Sequence, residues 1–383
     1  MMITMFIGLA SCFIVGGFEK IPGIDFIAEK IYMDNLNLYR YSELDDEDGQ
    51  GERSFLQTVL SGKAYFDEEW VLEDEEKVAL ALEENLIRKD EENNIQDIEP
   101  SEGKLGDIYG EEEVLQPVMN SAGNKVSIVE QLKRTNNSQF LMKNFYIVDS
   151  TTSVTAKMFP VNKLLERDNR LKKIKDTKQI LIYHTHGASE SFLPGRSAST
   201  PRTIVNAGET LAKELEAKGY GVYHDKTKYD LIQGSIDRSA GYNVALHGIT
   251  DILNKNKDIQ IIIDLHRDGV GKDAESTVMI DGKKTARVMF FNGLSRSRSG
   301  EISYLKNPNL EGNLSFSLQL KCVAMEMYPN FTKPIYLKGY RYNLHLRPRS
   351  LLIELGNEFN TIDEANNATK YIANVISKVL EKK

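Results

Sequence analysis

Three short apolar runs constrain this chain more than anything else in it: QILIY (179–183), IQIIIDL (259–265) and SLLIEL (350–355). Runs of this kind, aliphatic and scarcely interrupted by polar residues, suit strands covered on both faces, the setting of a parallel sheet. Between them the spacing turns helical. Residues 203–218 place Ile204, Val205, Leu211 and Leu215 on one face before Gly219 stops the pattern, and 242–254, 314–328 and 362–381 read as further helices. Residues 220–223 give a short strand, FLMKNFYIVDSTTSVT (140–155) a strand and turn, and Asp281-Gly282 a hairpin between two β-rich runs. The alternation predicts an α/β fold, a mostly parallel twisted sheet with helices on both faces.

At 383 residues there is room for more than one part. Residues 1–18 carry no charge and predict a transmembrane anchor or signal-like segment, with a buried core helix as the alternative. Residues 19–139 form an acidic, partly helical linker region, in which Val71, Val78, Leu82 and Leu86 recur at helical spacing above a solvated acidic face. Residues 140–383 hold the strands and are expected to be the catalytic domain. A net charge of -8 with no long basic segment excludes a nucleic-acid binder. Cys12 and Cys322 lie in segments too different to form a disulfide framework.

Functional groups in such sheets gather where strands end at their carboxyl edge. The first run delivers His184, His186 and Glu190, the second Asp264, His266, Arg267 and Asp268, and the third Glu354 and Glu358. Two histidines and a carboxylate with an open fourth position form a catalytic zinc sphere, since imidazole and carboxylate suit a borderline cation. The expected set is His186, Glu190 and His266, with His184 as the alternative first ligand because the two histidines alternate along the chain. Glu354, a carboxylate inside an apolar run, is the expected general base, taking a proton from water and passing it to a leaving amine. Arg267 and Arg347 are candidates for holding a substrate carboxylate, Arg267 having the alternative of bracing Asp264 or Asp268. His224 and His247 read as structural, and His345 as packing before the last strand.

The segments ILIYHTHGASESF, IIIDLHRDG and YRYNLHLRPRSLLIELGNEFNT, in this order after a membrane-like start, resemble the stage II sporulation protein P family from about residue 140 onward. That family is similar to zinc-dependent N-acetylmuramoyl-L-alanine amidases, and His186, His266 and Glu354 match the two histidines and the last-strand glutamate of their pattern. In the amidase pattern the carboxylate ligand opens a helix well after the first histidine, which here falls near Asn206 or Glu209 rather than Glu190. The resemblance implies cleavage of the amide joining muramic acid to the stem peptide, and endopeptidase cutting of cross-links. It implies work on peptidoglycan at the membrane during forespore engulfment, the catalytic domain on the extracytoplasmic side, with a stage II sporulation protein D-like partner. A membrane-tethered peptidoglycan-binding or scaffold protein is the alternative.

Overall fold

The computed structural model describes residues 126–197, 199–270 and 276–381, all within the second of the two units into which the chain divides, Asp74–Lys383. The expected segments 1–18 and most of 19–139 lie outside the described residues. Among the described residues no helix is long and apolar enough to cross a membrane.

The elements run α1 (Ile128–Thr135), α2 (Ser138–Phe145), β1 (Tyr146–Val148), α3 (Val161–Glu166), β2 (Ile180–Tyr183), α4 (Ile204–Ala217), β3 (Val222–His224), β4 (Leu231–Ile232), β5 (Ser235–Ile236), α5 (Arg238–Lys255) and β6 (Ile261–Asp268). There follow β7 (Thr277–Ile280), β8 (Lys283–Ala286), β9 (Val288–Gly293), β10 (Arg296–Ser297), β11 (Gly300–Glu301), α6 (Leu310–Met327), β12 (Ile335–Lys338), β13 (Arg349–Asn357) and α7 (Ile362–Glu381). Seven strands make one sheet in the order β1-β12-β9-β13-β6-β2-β3. Its neighbours are parallel except at β13 and β9, which run antiparallel. The carboxyl ends of β2, β6 and β13 therefore share one edge, while β9, β12 and β1 point the other way.

Alternation within the strands divides the core. Ile180, Ile182, Ile261, Ile263, Leu265, Leu351, Ile353 and Leu355 face a large apolar cluster built with α1–α4, α6 and α7. On the other face Leu181, Tyr183 and Ile262 pack under α5 with Ala245, Ile249 and Leu253, and Leu352 and Phe291 pack with Tyr242, Tyr342 and Leu344. Helices thus cover both faces, as the unbroken apolar runs require.

Two boundaries differ from the sequence reading. Residues 138–145 are a helix rather than a strand: Asn137 accepts from the Phe140 N–H at its start, and Leu141 and Phe145, four apart, are both buried. The packing also reaches back before residue 140, because α1, capped by Ser127 on the Glu130 N–H, buries Val129 and Leu132. Elsewhere local chemistry and fold agree. Asp281 and Gly282 take positive φ (51° and 73°), the backbone of a tight hairpin turn. The start of α7 is a reciprocal cap, Thr361 and Glu364 each accepting the other's backbone N–H.

Candidate active site

Strand β2 ends at Tyr183, and the chain folds at once into a turn over residues 185–189. The turn is closed by the Glu190 N–H donating to the His186 carbonyl at 3.1 Å, which sets the two side chains on one face as in a helical turn. Asp230, fully buried, accepts the Ala188 and Ser189 N–H groups at 2.8 and 3.0 Å, and Asp264 accepts the Thr185 N–H and hydroxyl at 3.0 and 2.7 Å. Two buried carboxylates thereby fix the turn from below and from the side.

The result brings together His186, Glu190 and His266, all 1–3% exposed, with one donor atom from each lying within 4.8 Å of the others. Both imidazoles present Nδ1 to the same Glu190 oxygen, Oε1, at 3.3 Å. Their other nitrogens each face an oxygen. His186 Nε2 lies 3.1 Å from the Arg238 carbonyl, which can only accept, and His266 Nε2 lies 2.8 Å from Asp264 Oδ1. In the neutral tautomer that carries its proton on Nε2, each ring turns a lone pair toward Oε1. Three acceptors converging in a buried space require a positive group between them. Without a metal, a proton on the imidazoles is that group. Burial disfavours charge on both, yet the neighbouring His266 and His186 hold the Glu190 carboxyl well below its usual range, and Asp264 and Glu190 raise His266 well above its own. A divalent cation with imidazole and carboxylate preferences fits this donor set.

Glu354 pairs in register with His266 on the adjacent parallel strand, so the two side chains share a face. Its Oε2 is buried with no hydrogen-bond partner, and burial pushes the carboxyl up to about 8 even with His266 nearby to pull it down. Such a group holds and releases a proton near neutral pH.

His184 is not brought to this cluster. It turns to the face covered by α4, fully buried, where Nδ1–H donates to the Leu265 carbonyl at 2.8 Å and Nε2 meets His224 Nε2 at 2.9 Å. Helix α4 crosses so closely that a Cβ at Gly208 would sit 2.5 Å from the His184 ring, which is why that position is glycine. Glu209 and Asn206 also stand apart from the cluster. Glu209 lies on the exposed side of α4 between Lys213 and Lys226 at 3.0 and 3.1 Å, and Asn206 accepts from the Thr203 hydroxyl. Glu190 nevertheless stands at the opening of α4 in space: its carbonyl accepts the Ile204 N–H at 3.1 Å, and residues 191–203 are an excursion closed by the Phe192 N–H on the Arg202 carbonyl.

The arginines divide. Arg267 donates its backbone N–H to Glu190 Oε2 at 2.8 Å, while its guanidinium is braced by the Asp268 carbonyl at 2.9 Å and Glu358 at 3.4 Å, not by the carboxylates of Asp264 or Asp268. The expectation that Arg347 faces substrate is corrected. Its guanidinium lies on the Ile259 and Leu346 carbonyls, just before β6 and β13 begin, at the end of those strands opposite to His266 and Glu354. Three contributors had no motif to announce them. Arg238 donates to Glu190 Oε1 and Ser189 Oγ, Asp230 holds the turn, and Tyr242 stacks parallel to His266 at 6.4 Å between ring centres.

One buried and two half-buried histidines outside the cluster, His184, His224 and His345, give a pH prediction. Burial pushes His184 and His224 down to about 4 and His345 to about 3, so all fold neutral while the unfolded chain titrates near 6.5. Between those values the unfolded chain binds more protons. Their contribution is thus complete above pH 6.5 and is lost as the pH falls toward 4, by roughly 3 kcal/mol for a fully buried histidine. Urea unfolding of the metal-free protein at pH 7, 5.5 and 4.5 checks this, and His345→Gln, remote from the cluster, should flatten the slope.

Among solved structures, the chain is similar to the CwlD amidase from Clostridioides difficile in complex with the GerS lipoprotein (15% identity, 54% of this chain and 100% of that one, TM-score 0.37). It is also similar to the N-acetylmuramoyl-L-alanine amidase AmiC2 of Nostoc punctiforme (13% identity, 54% and 96%, TM-score 0.34). Among curated proteins it is 30% identical over 219 residues to stage II sporulation protein P of Bacillus subtilis (strain 168), a match over 53% of this chain and 51% of the relative. The chain thus spans about half the length of the curated relative it matches. The family model for stage II sporulation protein P matches residues 54–377, and the chain belongs to that family.

Proposed function

We propose that the chain is a zinc-dependent peptidoglycan hydrolase. It cleaves the amide between N-acetylmuramic acid and the L-alanine of the stem peptide, has endopeptidase activity on cross-links, and acts in forespore engulfment. The observation that carries the chemistry is the convergence of His186 Nδ1, His266 Nδ1 and Glu190 Oε1 beside the strand position of Glu354, whose Oε2 is buried without a partner. The choice of bond rests on the match of His186, His266 and Glu354 to the muramoyl amidase pattern.

His186, Glu190 and His266 are the residues that would hold zinc. When bound, zinc supplies a Lewis acid that polarises a carbonyl and makes water a stronger acid. The Arg238 carbonyl keeps His186 in the ligating tautomer, and Asp264 lies 2.8 Å from the other nitrogen of His266. Glu354 takes the proton of the attacking water and returns it to the departing alanine nitrogen, roles suited to a carboxyl poised near 8. The same reading places residues 1–18 in the membrane with the catalytic unit on the extracytoplasmic side, where a stage II sporulation protein D-like partner would meet it.

Digestion of purified peptidoglycan with the zinc-supplied protein tests the bond. The expected products are glycan strands freed of stem peptides, and peptides with new L-alanine amino termini. New reducing sugar ends without new amines would sink the amidase assignment, and wall binding without any cleavage would favour a scaffold.

A further inference from the structure

Glu190 is buried to 1% exposure, and its two oxygens are used differently. Oε2 accepts the Arg267 backbone N–H at 2.8 Å, which leaves Oε1 as the oxygen facing both imidazole Nδ1 atoms. Oε1 also accepts from Arg238 Nη2 at 3.1 Å. Arg238 opens α5, where Asp237 caps the helix on the Ala240 N–H, and its side chain is 39% exposed. Its Nη1 donates to Ser189 Oγ at 2.8 Å, and its carbonyl takes the His186 Nε2 contact at 3.1 Å. One residue thus touches the turn, one imidazole and the carboxylate.

We infer that Arg238 is a second counter-ion of the metal-free site beside the imidazoles, a positioning residue that holds the Glu190 carboxylate in its ligating orientation and competes with the metal for Oε1. The inference rests on the zinc reading above and goes beyond it. A buried carboxylate needs a positive partner, and the guanidinium supplies one at the oxygen a metal would use. A divalent cation held by Oε1 would share that acceptor with the guanidinium, and the two like charges would repel. Linkage then fixes the sign: whatever Arg238 contributes to the metal-free protein is subtracted from metal binding. The arginine keeps the site formed and metal exchangeable.

The experiment uses the full chain, with Zn²⁺ alone as the probe, in competition with a chromophoric chelator, and with melting temperatures measured with and without zinc. R238Q is expected to bind zinc about tenfold more tightly than the wild type, and to lose more melting temperature without zinc than with it. R238K, which keeps the charge, should stay near the wild-type affinity. Unchanged or weaker zinc binding by R238Q, or an equal drop in both forms, overturns the inference and leaves Arg238 as a brace. Should R238Q fail to fold in either form, R238M, which keeps the length of the side chain without its charge, must tighten zinc binding; no change there overturns the inference too. A wild-type chain that takes up no zinc sinks the zinc reading itself, an outcome distinct from zinc-binding wild type with an unaltered R238Q.

Discussion

Glu354→Gln is expected to slow peptidoglycan cleavage by about 10²- to 10⁴-fold, the usual contribution of a positioned acid–base group, while zinc content stays at the wild-type level. The side chain sits across from His266 on the neighbouring strand, outside the set that converges on Glu190 Oε1. Removing its charge therefore spares the ligands. Stability should move the opposite way. Burial holds the Glu354 carboxyl at about 8, against about 4.5 in the unfolded chain. Its folded pKa is raised, so stability is complete below pH 4.5 and is lost as the pH rises through 8. At pH 8 the metal-free glutamine variant, which never ionises, should be more stable than wild type by a few kcal/mol. Urea unfolding at pH 5 and pH 8 measures the difference. A variant that retains full cleavage removes Glu354 from the mechanism; one that loses both zinc and cleavage makes it a ligand or a support for one.

The parts of this fold that show in the sequence are those where a local rule and the tertiary setting coincide. Strands β2, β6 and β13 are buried on both faces, and only an unbroken aliphatic run satisfies that. Helix α7 has both a periodic face and the Thr361/Glu364 cap, so its limits could be read directly. Strand β12 escaped because its run, Ile335–Lys338, is short and lies between Pro334 and Gly339, which read as a loop. At 140–145 the apolar residues fit either period, and the deciding signal was Asn137, three residues before the run.

The site was legible in the same measure. His186, Glu190, His266 and Glu354 stand at or just beyond the carboxyl ends of strong strands, where direction alone gathers them. Strand direction also argues against Arg347, which precedes β13 and therefore lies at its amino end. The competing carboxylate, Glu209, looked attractive because sequence distance conceals the excursion over 191–203 that brings Glu190 to the start of α4. Arg238 and Asp230 could not be found from sequence, since each acts through a backbone or side-chain contact with a turn roughly 40 to 50 residues away.

His186→Ala should reduce zinc from about one equivalent to almost none after dialysis, and His184→Ala should leave it near the wild-type level. The chemical change is identical and the positions are two apart, so the contrast isolates geometry. His186 Nδ1 faces Glu190 Oε1, and losing one of three protein ligands leaves a pair too weak to retain the ion against exchange. His184 instead closes a bond to the Leu265 carbonyl and a contact with His224 on the far face of the sheet. Its removal opens a cavity and strands a buried carbonyl, which should cost about 2 to 4 kcal/mol of stability without touching a donor atom. Zinc analysis beside thermal unfolding separates the effects: His186→Ala loses the melting-temperature rise that zinc gives, whereas His184→Ala melts lower yet keeps that rise. The reverse pattern would mean that the chain past Tyr183 continues as a strand, turning His184 instead of His186 to the metal.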